Sequence, residues 1–119
     1  MAFRFRNFKV YQDAKMVHKE VIKTFGNLPR NHYYIADQIK RSSLSIVLNI
    51  AEGSSKQSDK DFNKYIAISL GSLDEIVACL EIAFELGILS KDKFDKLEES
   101  YKLISLQLGG FSKRLKQKS

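Results

Sequence analysis

The chain has 119 residues, 44% hydrophobic and 29% charged, with a formal net charge of +6. That is the composition of one globular domain able to bury roughly two-thirds of its unfolded surface, and it excludes a disordered polyelectrolyte. A single cysteine, Cys79, excludes an internal disulfide, and its apolar neighbours Val77, Ala78, Leu80 and Ile82 predict a buried thiol in a reducing setting. The basic residues Arg4, Arg6 and Lys9 are followed by no apolar run, and Asp, Glu or Asn interrupts every longer apolar stretch. Neither a signal peptide nor a membrane span is therefore expected, and the expected location is cytoplasmic.

Four helices follow from the apolar periodicity. The first is predicted from about Asn7 to Phe25, carried by Val10, Ala14, Val17 and Val21 and stopped by Gly26 ahead of Leu28-Pro29. The second starts near Tyr33 or Tyr34 and ends at Gly53, before a polar turn over 54–58. Ser58, followed by Asp61, caps a third helix that reaches Leu86 on the positions Ile66, Leu73, Ile76, Leu80 and Ala83, with Gly87 as its stop. Ser90 caps the fourth, where Phe94, Leu97, Tyr101, Ile104, Leu108, Phe111 and Leu115 recur at alternating steps of three and four. Gly109-Gly110 is expected to weaken or bend this helix near its end. Long helices with short connections predict an all-α, up-down-up-down antiparallel four-helix bundle filling residues 1–119.

The segment Gln38–Gly53 (QIKRSSLSIVLNIAEG) carries the most information. On a helix, Gln38, Ser42, Ser45, Asn49 and Glu52 share one face, while Ile39, Ile46 and Ile50 line another, with Leu44, Val47, Leu48 and Ala51 around them. So apolar a helix is expected to be mostly buried, and a polar stripe on it must find hydrogen-bond partners in the bundle or on another subunit. Asn49 and Glu52, with Arg41 on the adjacent row, are the residues expected to be so held. Tyr33, Tyr34, Leu44 and Leu48 are apolar surface in excess of what one bundle hides, which predicts self-association.

Catalytic chemistries find little support. Carboxylate-bridged metal bundles use Glu-x-x-His, whereas Lys15 stands three residues before His18 and Pro29 three before His32. Cys79 lies among core positions with no histidine spaced to activate it, no arginine precedes a histidine by five or six residues, and no glycine-rich phosphate loop is present. His18 reads as a helix-surface or interface residue and His32 as part of an exposed turn. No enzyme, metal or cofactor is expected.

Charge is more informative once the topology is applied. In an up-down bundle both termini and the turn after the second helix share one end. That end collects Arg4, Arg6, Lys9, Lys56, Lys60, Lys64, Lys113, Arg114, Lys116 and Lys118, against Asp13, Glu52, Asp59 and Asp61. The ten bases and four acids give that end the whole net charge of +6, leaving ten of each elsewhere. A concentrated basic pole attracts polyanions, of which phosphate backbones are the commonest. Phe3, Phe5 and Phe8 between the basic residues could stack on bases or plug the end of the bundle, the latter expected for Phe8.

Phe8-Lys9-Val10-Tyr11-Gln12-Asp13-Ala14, Leu28-Pro29, Gln38-Ile39-Lys40-Arg41, Ser45-Ile46, Asn49-Ile50-Ala51-Glu52-Gly53 and Gly71-Ser72-Leu73-Asp74-Glu75 together resemble a bacterial four-helix-bundle family. Its members are known as 23S rRNA intervening-sequence proteins and are also labelled ribosomal-protein-like. The likeness covers nearly the whole chain, and Gln38, Arg41, Ser45, Asn49, Glu52 and Gly53 carry its most specific run. The family often has Arg-Arg-Ala where this chain has Lys40-Arg41-Ser42, and Pro-Ser where it has Val47-Leu48. The resemblance implies a bundle that assembles into a homo-oligomeric ring, a pentamer being the expected form, without catalysis. A related group, the accessory proteins of diversity-generating retroelements, binds nucleic acid and a reverse transcriptase through a basic surface. The expected function is thus non-enzymatic binding of structured RNA, or work with a nucleic-acid-processing protein, through the basic end. The alternative is a scaffold that recruits a partner protein without touching RNA.

Overall fold

The computed structural model describes residues 2–118, the side chain of Lys118 excepted. Four α-helices, α1 (Lys9–Thr24), α2 (Tyr33–Ser54), α3 (Asp59–Glu85) and α4 (Lys91–Lys118), account for most of it, with short 3-10 turns at Arg4–Asn7 and Arg30–His32. The caps explain the boundaries. Ser58 Oγ accepts the Asp61 N–H at 3.1 Å, and Asp59 and Asp61 complement the dipole of the first turn of α3. Gly87, at φ +77°, closes α3: its N–H donates to the Phe84 carbonyl and that of Ile88 to Ala83, at 3.0 and 2.9 Å. Ser90 Oγ likewise accepts the Lys93 N–H at 3.2 Å. α1 starts at Lys9 instead of Asn7 because the residues before it wind into the tighter 3-10 turn, leaving Phe8 extended.

Cross-helix pairs fix how the helices lie. From α2 to α3, Gln38 meets Glu75, Ser45 meets Ser72, and the Ile46 carbonyl meets Ser69. Rising numbers on α2 thus pair with falling numbers on α3, the relation that an antiparallel pair must show. Asn63 with Ser112 and Phe84 with Phe94 give the same relation for α3 and α4. α1 packs on both α2 and α4, completing a cycle of four neighbours 46 Å long and about 20 Å across. The core is filled from every helix, with Val21, Ile39, Ile46, Ile50, Ile66, Ile76, Leu80, Tyr101, Ile104 and Leu108 all at most 1% exposed.

The α4 seam packs as its spacing predicts, with Leu97, Tyr101, Ile104, Leu108 and Leu115 buried and Phe94 and Phe111 half-buried. Gly109-Gly110 does not interrupt α4, which runs through both glycines to Lys118. Nothing lies within 4 Å of a Cβ placed on Gly109, so close packing does not require it. Each glycine costs roughly 1 kcal/mol of helix propensity, which burial of Leu108 and Leu115 on either side offsets. Cys79 is half-buried rather than buried, at the edge of α3, and its thiol pKa is raised by desolvation and by Glu75.

The stripe on α2 divides. Gln38 Nε2 donates to the Glu75 carboxylate and to Ser42 Oγ, and Ser45 and Ser72 share a hydroxyl hydrogen bond of 2.9 Å. Half-buried Asn49 turns back on its own helix, donating to the Ser45 carbonyl at 2.8 Å and to Ser45 Oγ at 3.0 Å. Arg41 and Glu52, expected to be buried, are exposed on this chain. A stripe stepping every 3.5 residues drifts about 20° per heptad on a straight helix, so its far end rotates out of the seam.

Of the two places its pattern allowed, His18 takes the interface, half-buried between α1 and α2, and His32 is the half-buried member of a 3-10 turn whose Arg30 and Asn31 are exposed. Tyr101 Oη donates to Ser43 Oγ at 3.4 Å, and the Ser43 hydroxyl sits 2.8 Å from His18 Nδ1. Ser43 Oγ has two acceptor lone pairs and one proton, so the imidazole tautomer sets the direction of its bond to His18: a bare Nδ1 accepts the hydroxyl proton, and a protonated Nδ1 donates to Oγ. Burial lowers the His18 pKa from its ordinary value and pushes that of Tyr101 up to about 12, the Ser43 bond opposing the latter.

This packing can be tested at two positions. At Gly53 an added Cβ would stand 2.7 Å from Tyr65 Cβ and 2.8 Å from Phe62 Cδ1. Gly53→Ala should therefore destabilise the fold by about 1–3 kcal/mol in urea unfolding, and an unchanged midpoint would refute the close approach. Because His18 titrates lower in the folded than in the unfolded state, its contribution is complete above the ordinary imidazole value. It is lost as pH falls below 6.5 and through the lowered folded value. His18→Gln should flatten the stability–pH curve over that interval, and equal slopes would contradict the assignment.

Candidate nucleic-acid interface

The end of the bundle holding the N-terminal turn is built around an aromatic triangle. Phe8, Phe62 and Phe111 come from the start of α1, the start of α3 and the end of α4, with ring centroids 5.2 to 6.3 Å apart. Phe62 is buried and the other two are half-buried. These contacts, with the Asn63–Ser112 hydrogen bond of 2.6 Å, bring both chain termini to the α2–α3 turn, as the division of charge requires. Phe8 plugs the end of the bundle, whereas Phe3 is exposed and forms an edge contact with Phe5.

The basic side chains gathered there are not equivalent. Arg4 Nε donates to the Ser54 carbonyl at 3.1 Å, and its guanidinium lies 6.0 and 5.6 Å from the Phe8 and Phe62 centroids. Its charge therefore sits at the C-terminal, negative end of the α2 dipole and holds the N-terminal turn against the bundle. Lys9 pairs with Asp13, whose pKa is lowered by that hydrogen bond first and by the Gln107 amide second. Lys64 pairs with Asp61 at 3.5 Å, with both side chains more than half exposed, so the pair adds little. Arg6 stacks on Phe3 at 4.9 Å, Lys56 on Tyr65 at 5.0 Å and Arg114 on Phe111 at 5.3 Å, each cation lying over a ring. Lys60 and Lys113 are exposed and form no ion pair among the described residues, and Lys116 is also exposed. The Lys118 side chain lies outside the described residues.

Beside the triangle, a cleft of about 380 Å³ opens between α1 and α4, with Phe8, Phe111 and Leu106 as apolar walls and Lys9 and Arg114 at its rim. The surface thus offers cations next to ring faces, which suits phosphates and unstacked bases. Two features were out of reach of the sequence. The capping role of Arg4 joins residues 50 positions apart, and Gly53 is a contact point for two aromatic residues.

A family model described as 23S rRNA-intervening sequence protein matches residues 6–110. No curated protein matches the chain. The matched span contains the aromatic triangle's Phe8 and Phe62 and the whole α2–α3 turn, but stops short of Phe111. Arg4, Lys113, Arg114, Lys116 and Lys118 also fall outside it. Half of the basic pole is thus carried by segments beyond the match.

Arg4→Met should lower stability by about 1–2 kcal/mol through loss of the Ser54 bond and the ring contacts, and Arg4→Lys should recover only part of it. Thermal melts of the three proteins check this, and a melt of Arg4→Met identical to wild type would remove Arg4 from the fold's supports.

Proposed function

The chain belongs to the 23S rRNA-intervening sequence protein family, and from that premise we propose a non-enzymatic, self-associating bundle that binds structured RNA through its basic end. The observation that carries this reading is the convergence of both termini and the α2–α3 turn on one pole that holds the entire net charge of +6. Phosphates would be met by Lys60, Lys113, Arg114 and their neighbours, while Arg4 and Lys9 are engaged within the chain. Few side chains here suit base-edge readout, so recognition would follow shape and phosphate spacing. A ring, with a pentamer as the working expectation, would repeat the patch and add avidity to weak single contacts. A cytoplasmic setting is part of the proposal, and no helix among the described residues is long and apolar enough to cross a membrane.

A protein scaffold is the second reading, favoured by the exposed Tyr34, Leu48, Ile68 and Ile82 on the outer side of α2 and α3. Salt separates the two, since phosphate binding releases counterions and an apolar interface does not. Binding to a structured RNA should fall steeply between low and physiological salt. Lys60→Gln, Lys113→Gln and Arg114→Gln together should weaken all RNAs alike. The salt slope should flatten by about 0.9 for each phosphate no longer neutralised in duplex-like sites. Stability should stay within about 0.5 kcal/mol of wild type. Absence of RNA retention even at low salt would transfer the case to the scaffold.

A further inference from the structure

Two surfaces on opposite sides of the bundle lack a partner within the chain. The first is the seam between α1 and α4. α1 has 16 residues and α4 has 28, and along their junction lie clefts of about 380, 250 and 640 Å³. The last two share Met16, Val17 and Ser100, and the first joins them at Gln107, so they form one groove. Its apolar lining is open to water, with Met16 66%, Leu103 52% and Leu106 65% exposed. At the end away from the basic pole its rim carries Lys19, Lys23, Lys93 and Lys96 against Glu20 and Asp92.

The second surface is the outer side of α2 and α3. Leu48, Ile68, Ile82 and Leu86 are exposed on it, and steps of seven place Ile68, Glu75 and Ile82 on one face of α3. From Tyr65 to Ser90 the chain has four acids, Asp74, Glu75, Glu81 and Glu85, and no base. All four are exposed, and all lie in the half of α3 away from the basic pole. The electrical balance of that end therefore conceals a division. There, α1 and α4 contribute seven bases and five acids, whereas the rest contributes three bases and five acids.

We propose that the α2–α3 face of one copy docks into the α1–α4 groove of the next. α1 packs on α2 and α4, and α3 packs on the same two helices, so the groove and the face point in opposite directions and cannot meet within one chain. Between copies standing side by side with the same end up, the lysine rim of one groove faces the acidic half of the neighbouring α3. Apolar residues then meet along the rest of the interface, with charge at its edge setting register and orientation. The interface is head-to-tail, so it closes into a ring where the rotation between neighbours divides a full turn and extends as a filament where it does not. Equal orientation also collects the basic poles on one side of the assembly. The proposal rests on the self-association in the functional reading above, and is independent of whether RNA is bound.

Complementation of two variants tests it. Ile82→Arg with Glu85→Lys spoils the face and leaves the groove, while Met16→Glu with Lys23→Glu spoils the groove and leaves the face. Each should weaken association at least about thirty-fold, the size of a central hot spot, and yield monomers by light scattering at micromolar concentration. Circular dichroism should show helicity and melting close to wild type in both. Mixed in equal amounts, they should form a species with the mass of two chains and no larger one, because one intact groove meets one intact face. Assemblies unchanged in either variant, or no two-chain species on mixing, would overturn the surface assignment alone. A monomeric wild-type protein would overturn self-association itself.

Discussion

The closeness with which α3 lies on α2 is the constraint on which the rest of the bundle depends. Where α2 ends, Gly53 lets Tyr65 and Phe62 approach its backbone more closely than any larger residue would allow. Further along, small residues continue the seam: Ser69 Oγ donates to the Ile46 carbonyl at 3.2 Å, and Ser45 touches Ser72. Serines are small enough for close helix packing, and each hydroxyl satisfies itself across the seam instead of being stranded in an apolar core. No buried side-chain nitrogen or oxygen among the described residues lacks a partner. With α2 and α3 placed, Phe62 is held where the N-terminal turn and the end of α4 can close over it.

A second polar element crosses the other side of the core. His18, Ser43 and Tyr101 belong to α1, α2 and α4, and their two hydrogen bonds join three helices at one level. Sliding any of these helices by a turn would leave buried polar groups unpaired, a penalty of about 1–3 kcal/mol each. The apolar seams supply most of the cohesion, since a heptad of Ile and Leu packs tolerably in more than one register. The serine and histidine pairings discriminate between those registers.

Helices, caps and core were legible because each has a local cause. Ser58, Gly87 and Ser90 end or begin helices through bonds within a few residues, and the α4 seam repeats over its own length. What escaped the sequence depends on pairing between distant segments. Asn49 and Glu52 belong to one stripe, yet only the first is half-buried, bonded back to Ser45 of its own helix, since burial depends on the line α3 takes across α2. Arg4 looked like one cation of ten, and only the fold puts the Ser54 carbonyl and two rings beside it. Gly109-Gly110 misled in the opposite direction, because local propensity marks a weak point where the helix, with buried leucines on either side, runs on unbroken. The basic pole itself was legible, being a matter of topology and sign alone.

That pole has a consequence for how the molecule moves in an electric field. A body 46 Å long and about 20 Å across carries its surplus charge near one tip, so its centre of charge lies well away from its centre of mass. In the field of an anionic surface such a rod experiences a torque as well as an attraction, and it turns its charged tip forward before touching. The torque weakens once the separation exceeds a Debye length, about 8 Å at physiological ionic strength. Alignment is thus a feature of the last few ångströms of approach: the bundle arrives end-on, with its long axis upright and its flanks facing sideways.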